Sequence, residues 1–229
     1  MGNKVAKDKK APKRPKTRLY LITPPAFNPQ DFAPILKEAL GAGDVACLQL
    51  RLKNADGSRA QDAEIADAIK YLMPVVHGCD VALILNDDAV LAHKYGCDGV
   101  HIGQSDTPYE QARALLGDDA IIGVTCHDSK HLAMEAGEAG ADYVAFGAFY
   151  ETQTKNAKTR AEPDLLTFWQ QFVELPCVAI GGITPDNAGP LVEAGADFIA
   201  ASGSVWGYKD GPATAIATFT SLFEQLHGK

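Results

Sequence analysis

The sequence lacks an apolar run long enough to cross a membrane. A membrane-spanning helix needs about 18 consecutive apolar residues, and no segment of this 229-residue chain approaches that length. The N-terminal segment also lacks the apolar stretch of a secretory signal, and Ala6 stands where an N-myristoylation motif requires Ser or Thr. We therefore expect a cytoplasmic protein without a membrane partner.

Cysteine is scarce, and its spacing excludes two classes of small domain. The five cysteines are Cys47, Cys79, Cys97, Cys126 and Cys177, and no two of them form a C-x-x-C pair. Four lie in or beside apolar, strand-like runs, where a free cysteine behaves as a small hydrophobic residue. This pattern favours neither a zinc site nor a disulfide framework, and it indicates a reducing compartment.

Positive charge is concentrated at the N-terminus. Residues 1 to 18 contain eight Lys or Arg and one Asp, although the whole chain has a net charge of -8. A basic segment of this kind can contact nucleic acid or acidic lipid. Because this one lacks aromatic residues and apolar periodicity, we interpret it as a disordered tail and expect no nucleic-acid partner.

A repeated pattern organises the chain after residue 18. Four segments combine a helix end, a glycine, an acidic residue and an apolar strand, and their acidic residues are Asp44, Asp98, Asp142 and Asp197. In three of them, Gly96, Gly140 and Gly195 stand where the end of a helix requires a left-handed residue. The repeats are about 50 residues apart, which is the length of two strand-plus-helix units.

The repeats predict a (β/α)8 barrel. Apolar runs predict strands at residues 19–23, 46–52, 82–86, 99–103, 121–127, 143–149, 177–182 and 198–203. Helical patterns lie between them, for example at 58–76, and a last one follows at 211–226. Eight such units predict a single TIM barrel, an α/β fold, over residues 19–229. An open doubly wound sheet is the alternative, but no G-x-G-x-x-G follows the first strand.

The second predicted strand continues into "LQLRLK" at 48–53 and has two unlike faces. Its alternation places three leucines outside, against helices, and Gln49, Arg51 and Lys53 on the inner wall. Because unpaired buried charges are costly, the two cations indicate an anionic ligand. An amphipathic strand of an antiparallel sheet would alternate in the same way, but the surrounding βα repeats favour the barrel.

Acidic residues follow the third and fourth strands. Asn86 and Asp87 end the third, and Asp106 follows the fourth. The carboxyl ends of barrel strands meet at one face, where two carboxylates suit a Mg²⁺ ion that also binds water and phosphate oxygens. Both segments open helices, so Asp88 and Thr107 are explained as N-caps. Capping does not explain why carboxylates converge with a basic strand.

The loops after the last three strands suit phosphate. The loop after the sixth strand carries Thr152, Thr154 and Lys155, whose hydroxyls and ammonium favour phosphate oxygens. Gly182 and Gly203 follow the next two strands and allow backbone N–H groups to approach an anion, and Pro185 is predicted to start a helix there. Gly-rich turns are also simply turns, but barrels often bind phosphate at this position.

Together the strand ends indicate one chemistry. Cations, a carboxylate pair and amides suit a departing diphosphate, and the Gly-rich pocket suits a second, phosphorylated substrate. A metal ion and cations would stabilise the charge on the leaving group. His127 ends the fifth strand, where it can act as an acid or base. His101 lies within the fourth and is interpreted as a hydrogen-bonded core histidine.

Six motifs in order resemble the thiamine-phosphate synthase family. They are "LQLRLK", "LNDD" followed by "DGVHIGQSD", "GVTCH", "DYVAFGAFYETQTK", "VAIGGIT" and "GADFIAASGSV", and the similarity spans residues 19 to 223. The resemblance implies a transferase of thiamine biosynthesis that joins a hydroxymethylpyrimidine diphosphate to a phosphoethylthiazole, giving thiamine phosphate and diphosphate. It also implies a Mg²⁺-assisted, dissociative reaction in which the diphosphate departs first.

The resemblance assigns roles to single residues. The catalytic residues would be Arg51, Lys53 and Lys155. The pyrimidine diphosphate would contact Gln49, Arg51, Lys53, Asn86, Thr125 and Lys155. The thiazole phosphate would contact Thr152, Thr154, Gly182, Ser202 and Gly203. The Mg²⁺ ligands would be Asp87 and Asp106.

Two alternatives stay open. The related thiazole tautomerase is an isomerase that needs a histidine base and neither diphosphate nor metal, and His127 stands where that relative carries its base. A non-catalytic phosphate-binding barrel would result if Asp88, which stands where the family usually has arginine, abolished turnover. The complete set of predicted diphosphate contacts favours the synthase, because an isomerase has no use for it.

Overall fold

Eight short apolar runs form parallel strands that close into a barrel. The computed structural model describes residues 15–151 and 159–228, and its strands pair in chain order, with the eighth beside the first. The strands are β1 (Arg18–Ile22), β2 (Val45–Leu50), β3 (Ala82–Asn86), β4 (Gly99–Ile102), β5 (Ile121–His127), β6 (Tyr143–Gly147), β7 (Cys177–Ile180) and β8 (Phe198–Ala201). The predicted (β/α)8 barrel is confirmed.

Helices lie between the strands and cover the outside of the barrel. In the described ranges they are α1 (Pro29–Leu40), α2 (Asp62–His77), α3 (Ala89–Tyr95), α4 (Tyr109–Leu116), α5 (Lys130–Ala139), α6 (Pro163–Phe172), α7 (Gly189–Glu193), α8 (Gly203–Trp206) and α9 (Pro212–His227). Gly96, Gly140 and Gly195 have φ angles of 68°, 101° and 102°, as the repeats predicted. None of these helices combines the length and the apolar character that a membrane span requires.

Strand alternation separates two cores. Leu48 and Leu50 of β2 face outward and are fully buried in the large core between strands and helices, and Leu52 packs at its edge. The smaller inner core is formed by Tyr20, Ile22, Cys47, Ile84, Tyr143, Ala145, Val178 and Ala200. Because the inner core contains few large aliphatic side chains, the inward face of β2 has room for polar groups.

The repeated aspartates join neighbouring strands at the N-terminal rim of the barrel. Asp98, Asp142 and Asp197 each precede an even-numbered strand. Each accepts a hydrogen bond, at 2.6, 2.8 and 2.8 Å, from the backbone N–H of the first or second residue of the preceding odd-numbered strand. Asp44, before β2, instead accepts from Nε of Arg18 in β1 at 2.8 Å. The sequence repeat is therefore a structural one, and it lies at the rim opposite the strand ends that barrels use for chemistry.

The structure differs from the sequence prediction at several boundaries. β1 begins at Arg18, and the hydroxyl of the buried Thr17 donates to Ala196 O at 2.7 Å, so residues 17 and 18 belong to the barrel. Residues 1–14 of the predicted tail lie outside the described residues. The prediction that Pro185 starts a helix is wrong. Residues 185–187 form a turn in which Asn187 Oδ1 accepts from Thr184 N, and α7 begins only at Gly189.

We predict that Asp197→Ala destabilises the barrel without changing its chemistry. The substitution leaves the N–H of the buried Cys177 without the Asp197 carboxylate, which should lower the free energy of unfolding by about 1–3 kcal/mol. For a chain of this size, each kcal/mol corresponds to roughly 2–4 °C in Tm. Thermal unfolding measures the loss, with the exposed carboxylate of Glu138, changed to Ala, as the control. An equal Tm for both variants would contradict the prediction.

Candidate functional site

The polar face of the β2 end lines the inner wall at the C-terminal mouth of the barrel. Gln49 is buried, and its Nε2 donates to the hydroxyl of Tyr20 at 3.2 Å. Lys53 Nζ lies 3.0 Å from Asp87 Oδ2. Burial lowers the pKa of the Arg51 guanidinium, and the negative charge of Asp87 opposes that shift. The structure thus brings these predicted cations together with Asp87.

Asp87 and Asp106 meet beside these cations. Asp87 has a φ of 68°, and its N–H donates to His101 O at 2.8 Å, which fixes the turn after β3. Asp106 Oδ2 accepts from the N–H of Gly103 at 2.7 Å. Partial burial raises the pKa of Asp106, and the hydrogen bond from Gly103 opposes this shift. The negative charge of Asp87 and a side-chain hydrogen bond with Asp87 raise the pKa of Asp106 further. The two carboxyl groups are therefore close enough to repel each other.

This donor set fits a hard divalent cation. Two carboxylates from neighbouring strand ends supply oxygen ligands only, and water and substrate oxygens complete the shell that Mg²⁺ prefers. A cation between Asp87 and Asp106 would also relieve their mutual repulsion. No cluster of three or more His, Cys, Asp or Glu side chains suited to a metal ion occurs in residues 15–151 and 159–228, so a site closed by protein ligands, such as structural zinc requires, is not formed there.

Asp88 turns away from this carboxylate pair. Its Oδ1 accepts from Leu91 N at 2.8 Å, so it caps α3 as predicted. Its Oδ2 lies 2.6 Å from Nη2 of Arg59, which comes from the loop between β2 and α2. Asp88, which stands where the resemblance implies an arginine, is thus paired with an arginine from elsewhere in the chain. This contact was not predicted, because 29 positions separate the two residues.

A chain of hydrogen bonds crosses the barrel interior below the mouth. The Tyr20 and Tyr143 hydroxyls are 2.8 Å apart, and Tyr143 also bonds His101 Nδ1 at 3.0 Å. His101 Nε2 bonds the hydroxyl of Thr125 at 2.8 Å. The interpretation of His101 as a hydrogen-bonded core histidine is confirmed. Burial raises the pKa of both tyrosines well above the ordinary value, so their hydroxyls stay neutral.

Glycines shape the loops after β7 and β8. Gly181 and Gly182 have φ angles of 106° and 63°, and a Cβ on either would collide, with Ala148 and with the backbone of Glu151 respectively. A Cβ on Gly203 would meet only open space, so its backbone borders a cavity or solvent. Ser202 Oγ donates to Thr23 O at 3.0 Å, so the proton of its hydroxyl is already used within the fold. The backbone of these loops is therefore the part that remains for an anion.

Comparison of the sequence with models of protein families identifies the family of this chain. The model described as thiamine monophosphate synthase matches residues 19–205. The chain belongs to the thiamine monophosphate synthase family. The resemblance inferred from six motifs is confirmed.

Curated relatives and a solved structure agree with the family. The thiamine-phosphate synthase of Rhodospirillum centenum is 63% identical over 205 residues, which cover 90% of this chain and 97% of the relative. That of Hyphomonas neptunium is 55% identical over 216 residues, with 93% and 96% covered. The structure of thiamine phosphate pyrophosphorylase from Pyrococcus furiosus superposes with a TM-score of 0.78 at 30% identity, covering 91% of this chain and 96% of that one. The chain is accordingly a transferase of thiamine phosphate synthesis, an enzyme that releases diphosphate.

The structure places most of the residues that the family resemblance singled out. Those at the ends of β2, β3, β4, β5, β7 and β8 all lie at the C-terminal mouth, including the half-buried His127, which has a φ of 54°. Thr152, Thr154 and Lys155 lie outside the described residues. Sequence reasoning missed Tyr20, Tyr143 and Arg59. Two tyrosines at inward positions of otherwise apolar strands were the only available signal.

We predict that Asp106→Asn raises Tm at pH 7. Folding raises the pKa of the Asp106 carboxyl. Such a group contributes stability at acid pH, and this stability is lost as the pH rises through the pKa of the folded state. At pH 7, ionised Asp106 therefore destabilises the folded protein. Because this group is partly solvated, the gain should be about 2 °C or less. It should shrink toward pH ~4, near the ordinary carboxyl pKa.

Thermal unfolding between pH 4 and 8 measures this difference in Tm. Asp118→Asn is the control, since it removes an exposed carboxylate from the other end of the barrel. A gain that increased toward acid pH, or one that Asp118→Asn reproduced, would contradict the assignment of the raised pKa to the carboxylate pair.

Proposed function

We propose that the mouth of the barrel performs this transfer by Mg²⁺-assisted departure of diphosphate. The substrates are 4-amino-2-methyl-5-hydroxymethylpyrimidine diphosphate and 4-methyl-5-(2-phosphoethyl)thiazole. The bond between the pyrimidine methylene carbon and the diphosphate oxygen breaks first, and its electron pair leaves with the diphosphate. The thiazole nitrogen then forms the new bond to that carbon, which gives thiamine phosphate.

The observation that carries the proposal is the meeting of Arg51, Lys53, Asp87 and Asp106 on one side of the mouth. Two cations beside two carboxylates suit an anion that brings a divalent cation with it. Mg²⁺ bound there would supply Lewis-acid stabilisation of the departing oxygens. Arg51 and Lys53 stabilise the same charge as it develops, in a site where water is partly excluded.

The ion pair of Lys53 with Asp87 gives the site a defined change on binding. The ammonium of Lys53 lies 3.0 Å from the carboxylate of Asp87. When the diphosphate enters, Lys53 donates to its oxygens and Asp87 becomes available as a metal ligand. The lysine therefore neutralises the charge of Asp87 before the diphosphate binds and the charge of the leaving group afterwards.

The pyrimidine is held by polar groups that face the interior. The Gln49 amide and the Asn86 amide each offer a donor and an acceptor, which suit the edge of an aminopyrimidine and the diphosphate next to it. Thr125 lies between the interior chain and the mouth through its bond to His101. Its hydroxyl can donate to the diphosphate while it accepts from the imidazole.

The thiazole phosphate occupies the opposite side of the mouth. Backbone N–H groups near Gly182, Ser202 and Gly203 bind it, supported by the open space beside Gly203 and the tight turn at Gly182. The barrel then holds the thiazole nitrogen across the mouth from the pyrimidine carbon, and this alignment is part of the catalysis. Thr152, Thr154 and Lys155 are assigned to the two phosphate groups by the family resemblance alone.

The proposal predicts that diphosphate release depends on both substrates and on Mg²⁺. The purified protein with both substrates should form diphosphate and thiamine phosphate in equal amounts, and EDTA should stop the reaction, because the departing charge would lose the ion that stabilises it. A coupled diphosphate assay with chromatography of thiamine phosphate measures both products. Turnover that continues unchanged in EDTA would refute the role of the carboxylate pair.

His127→Ala separates this reaction from the isomerase alternative. The structure places His127 at the mouth, at the end of β5, where a histidine base would be needed. In a synthase the substitution should change kcat/KM by less than about threefold, whereas loss of a general base costs about 10²–10⁴-fold. Steady-state kinetics with both substrates, together with proton exchange on a thiazole carboxylate phosphate without metal, measures the two activities. Metal-independent proton exchange that is lost in His127→Ala would favour the isomerase.

A further inference from the structure

Arg59 is a cation that no part of the proposed reaction uses. It lies in the loop between β2 and α2, where its Nη2 is 2.6 Å from Asp88 and its Nη1 is 2.7 Å from Asp62. Its backbone forms an antiparallel bridge with Lys53. The two cations therefore leave the same short hairpin and point toward the end of β3.

Each cation of the hairpin faces one of two consecutive carboxylates. Lys53 pairs with Asp87 at 3.0 Å, and Arg59 pairs with Asp88 at 2.6 Å. Asp62, the other partner of Arg59, is mostly exposed, so solvent screens its charge. Asp88 is only 23% exposed, so its charge would act on the mouth if Arg59 did not oppose it.

The guanidinium keeps this position although one of its donors is unsatisfied. Arg59 Nε is buried without a hydrogen-bond partner among the described residues. An unpaired buried donor is unfavourable, and the ion pairs of Nη1 and Nη2 offset that cost. The contact that remains strong is the one with Asp88, which is an ion pair with a short donor distance.

The charges on this side of the mouth balance only when Arg59 is counted. With the mostly exposed Asp62 set aside because solvent screens it, the described residues contribute three cations here, Arg51, Lys53 and Arg59, and three carboxylates, Asp87, Asp88 and Asp106. Without Arg59 this group would carry a net negative charge in the place where the proposed substrate brings a multiply charged anion. Repulsion between charges extends over about 10 Å at an ionic strength of about 0.1 M, and further at low salt, and it needs no contact.

We propose that Arg59 is a positioning residue for the diphosphate substrate, acting through Asp88. By neutralising that carboxylate, Arg59 keeps the diphosphate side of the mouth from repelling the anion. The inference rests on the proposed function, because it concerns the site at which the diphosphate binds. Arg59 itself takes no part in bond breaking, so it affects the binding of one substrate and not the chemical step.

Arg59→Gln tests this role through the split between KM and kcat. In low salt, the KM for the pyrimidine diphosphate should rise about five- to tenfold, because the mouth gains a net negative charge. The kcat should stay within about twofold, and the KM for the thiazole phosphate, bound on the opposite side, should not change. The increase should diminish in high salt, since screening weakens charge repulsion.

Removing the carboxylate as well should restore binding. Asp88→Asn keeps an oxygen that can cap α3, so the double variant Arg59→Gln/Asp88→Asn should have a KM near that of the unchanged protein. Arg59→Lys keeps the charge and should also be close to it. A double variant as defective as Arg59→Gln, or a KM that does not change with Arg59→Gln, would overturn the proposal.

A second readout does not depend on turnover. Mn²⁺ binding to the substrate-free protein, followed by electron paramagnetic resonance, should not weaken in Arg59→Gln, because the variant makes the carboxylate side more negative. Weaker Mn²⁺ binding would indicate that Arg59→Gln changes the conformation of the turn at Asp87. That result would overturn the electrostatic role proposed for Arg59. Arg18→Gln/Asp44→Asn is the matched control, since that ion pair has a similar N to O distance, 2.7 Å, at the opposite rim. Failure of the unchanged protein to release diphosphate would instead refute the proposed function.

Discussion

The closure of a parallel sheet is the constraint on which the whole site depends. Strands that run in one direction around a barrel bring all their carboxyl ends to one rim, and alternation sends every second side chain inward. Residues that are far apart in sequence, such as Lys53 and Asp106, can then share one site. The repeated aspartates at the other rim support this arrangement, because Asp98, Asp142 and Asp197 join the strands in pairs. Stability and chemistry are thereby divided between the two rims.

Much of the fold could be predicted because each unit carries local signals. A glycine after a helix, an aspartate and an apolar run recur, and the structure shows that Gly96, Gly140 and Gly195 adopt the left-handed conformation that this pattern requires. Strand ends were less predictable. β2 ends at Leu50, but the alternation of polar and apolar side chains continues to Lys53. A residue that has left the sheet can still point in the direction that alternation implies. The turn at Pro185 was mistaken for a helix start because proline is common in both.

The candidate site was predictable as far as single strand ends reveal it. The pairing of Lys53 with Asp87 follows from two neighbouring strands, so motif order and barrel closure together suggested it. The contact between Arg59 and Asp88 did not, because it depends on how a loop folds back. The interior chain was missed for another reason: Tyr20 and Tyr143 look like ordinary apolar residues of their strands, and only the closed barrel brings their hydroxyls together. Long-range polar contacts are the part of a site that local patterns do not specify.

The interior chain has a consequence for how the barrel recognises a ligand. Tyr20 and Tyr143 keep their protons far into the alkaline range, and the buried His101 is held between a tyrosine and a threonine hydroxyl. The two hydroxyls are therefore neutral hydrogen-bonding groups below the mouth, whereas the charged groups Lys53, Asp87 and Asp106 lie at the rim. We expect a ligand that reaches the interior chain to be recognised there by shape and hydrogen bonding, and its anionic end to be recognised by the charges at the rim, which salt screens.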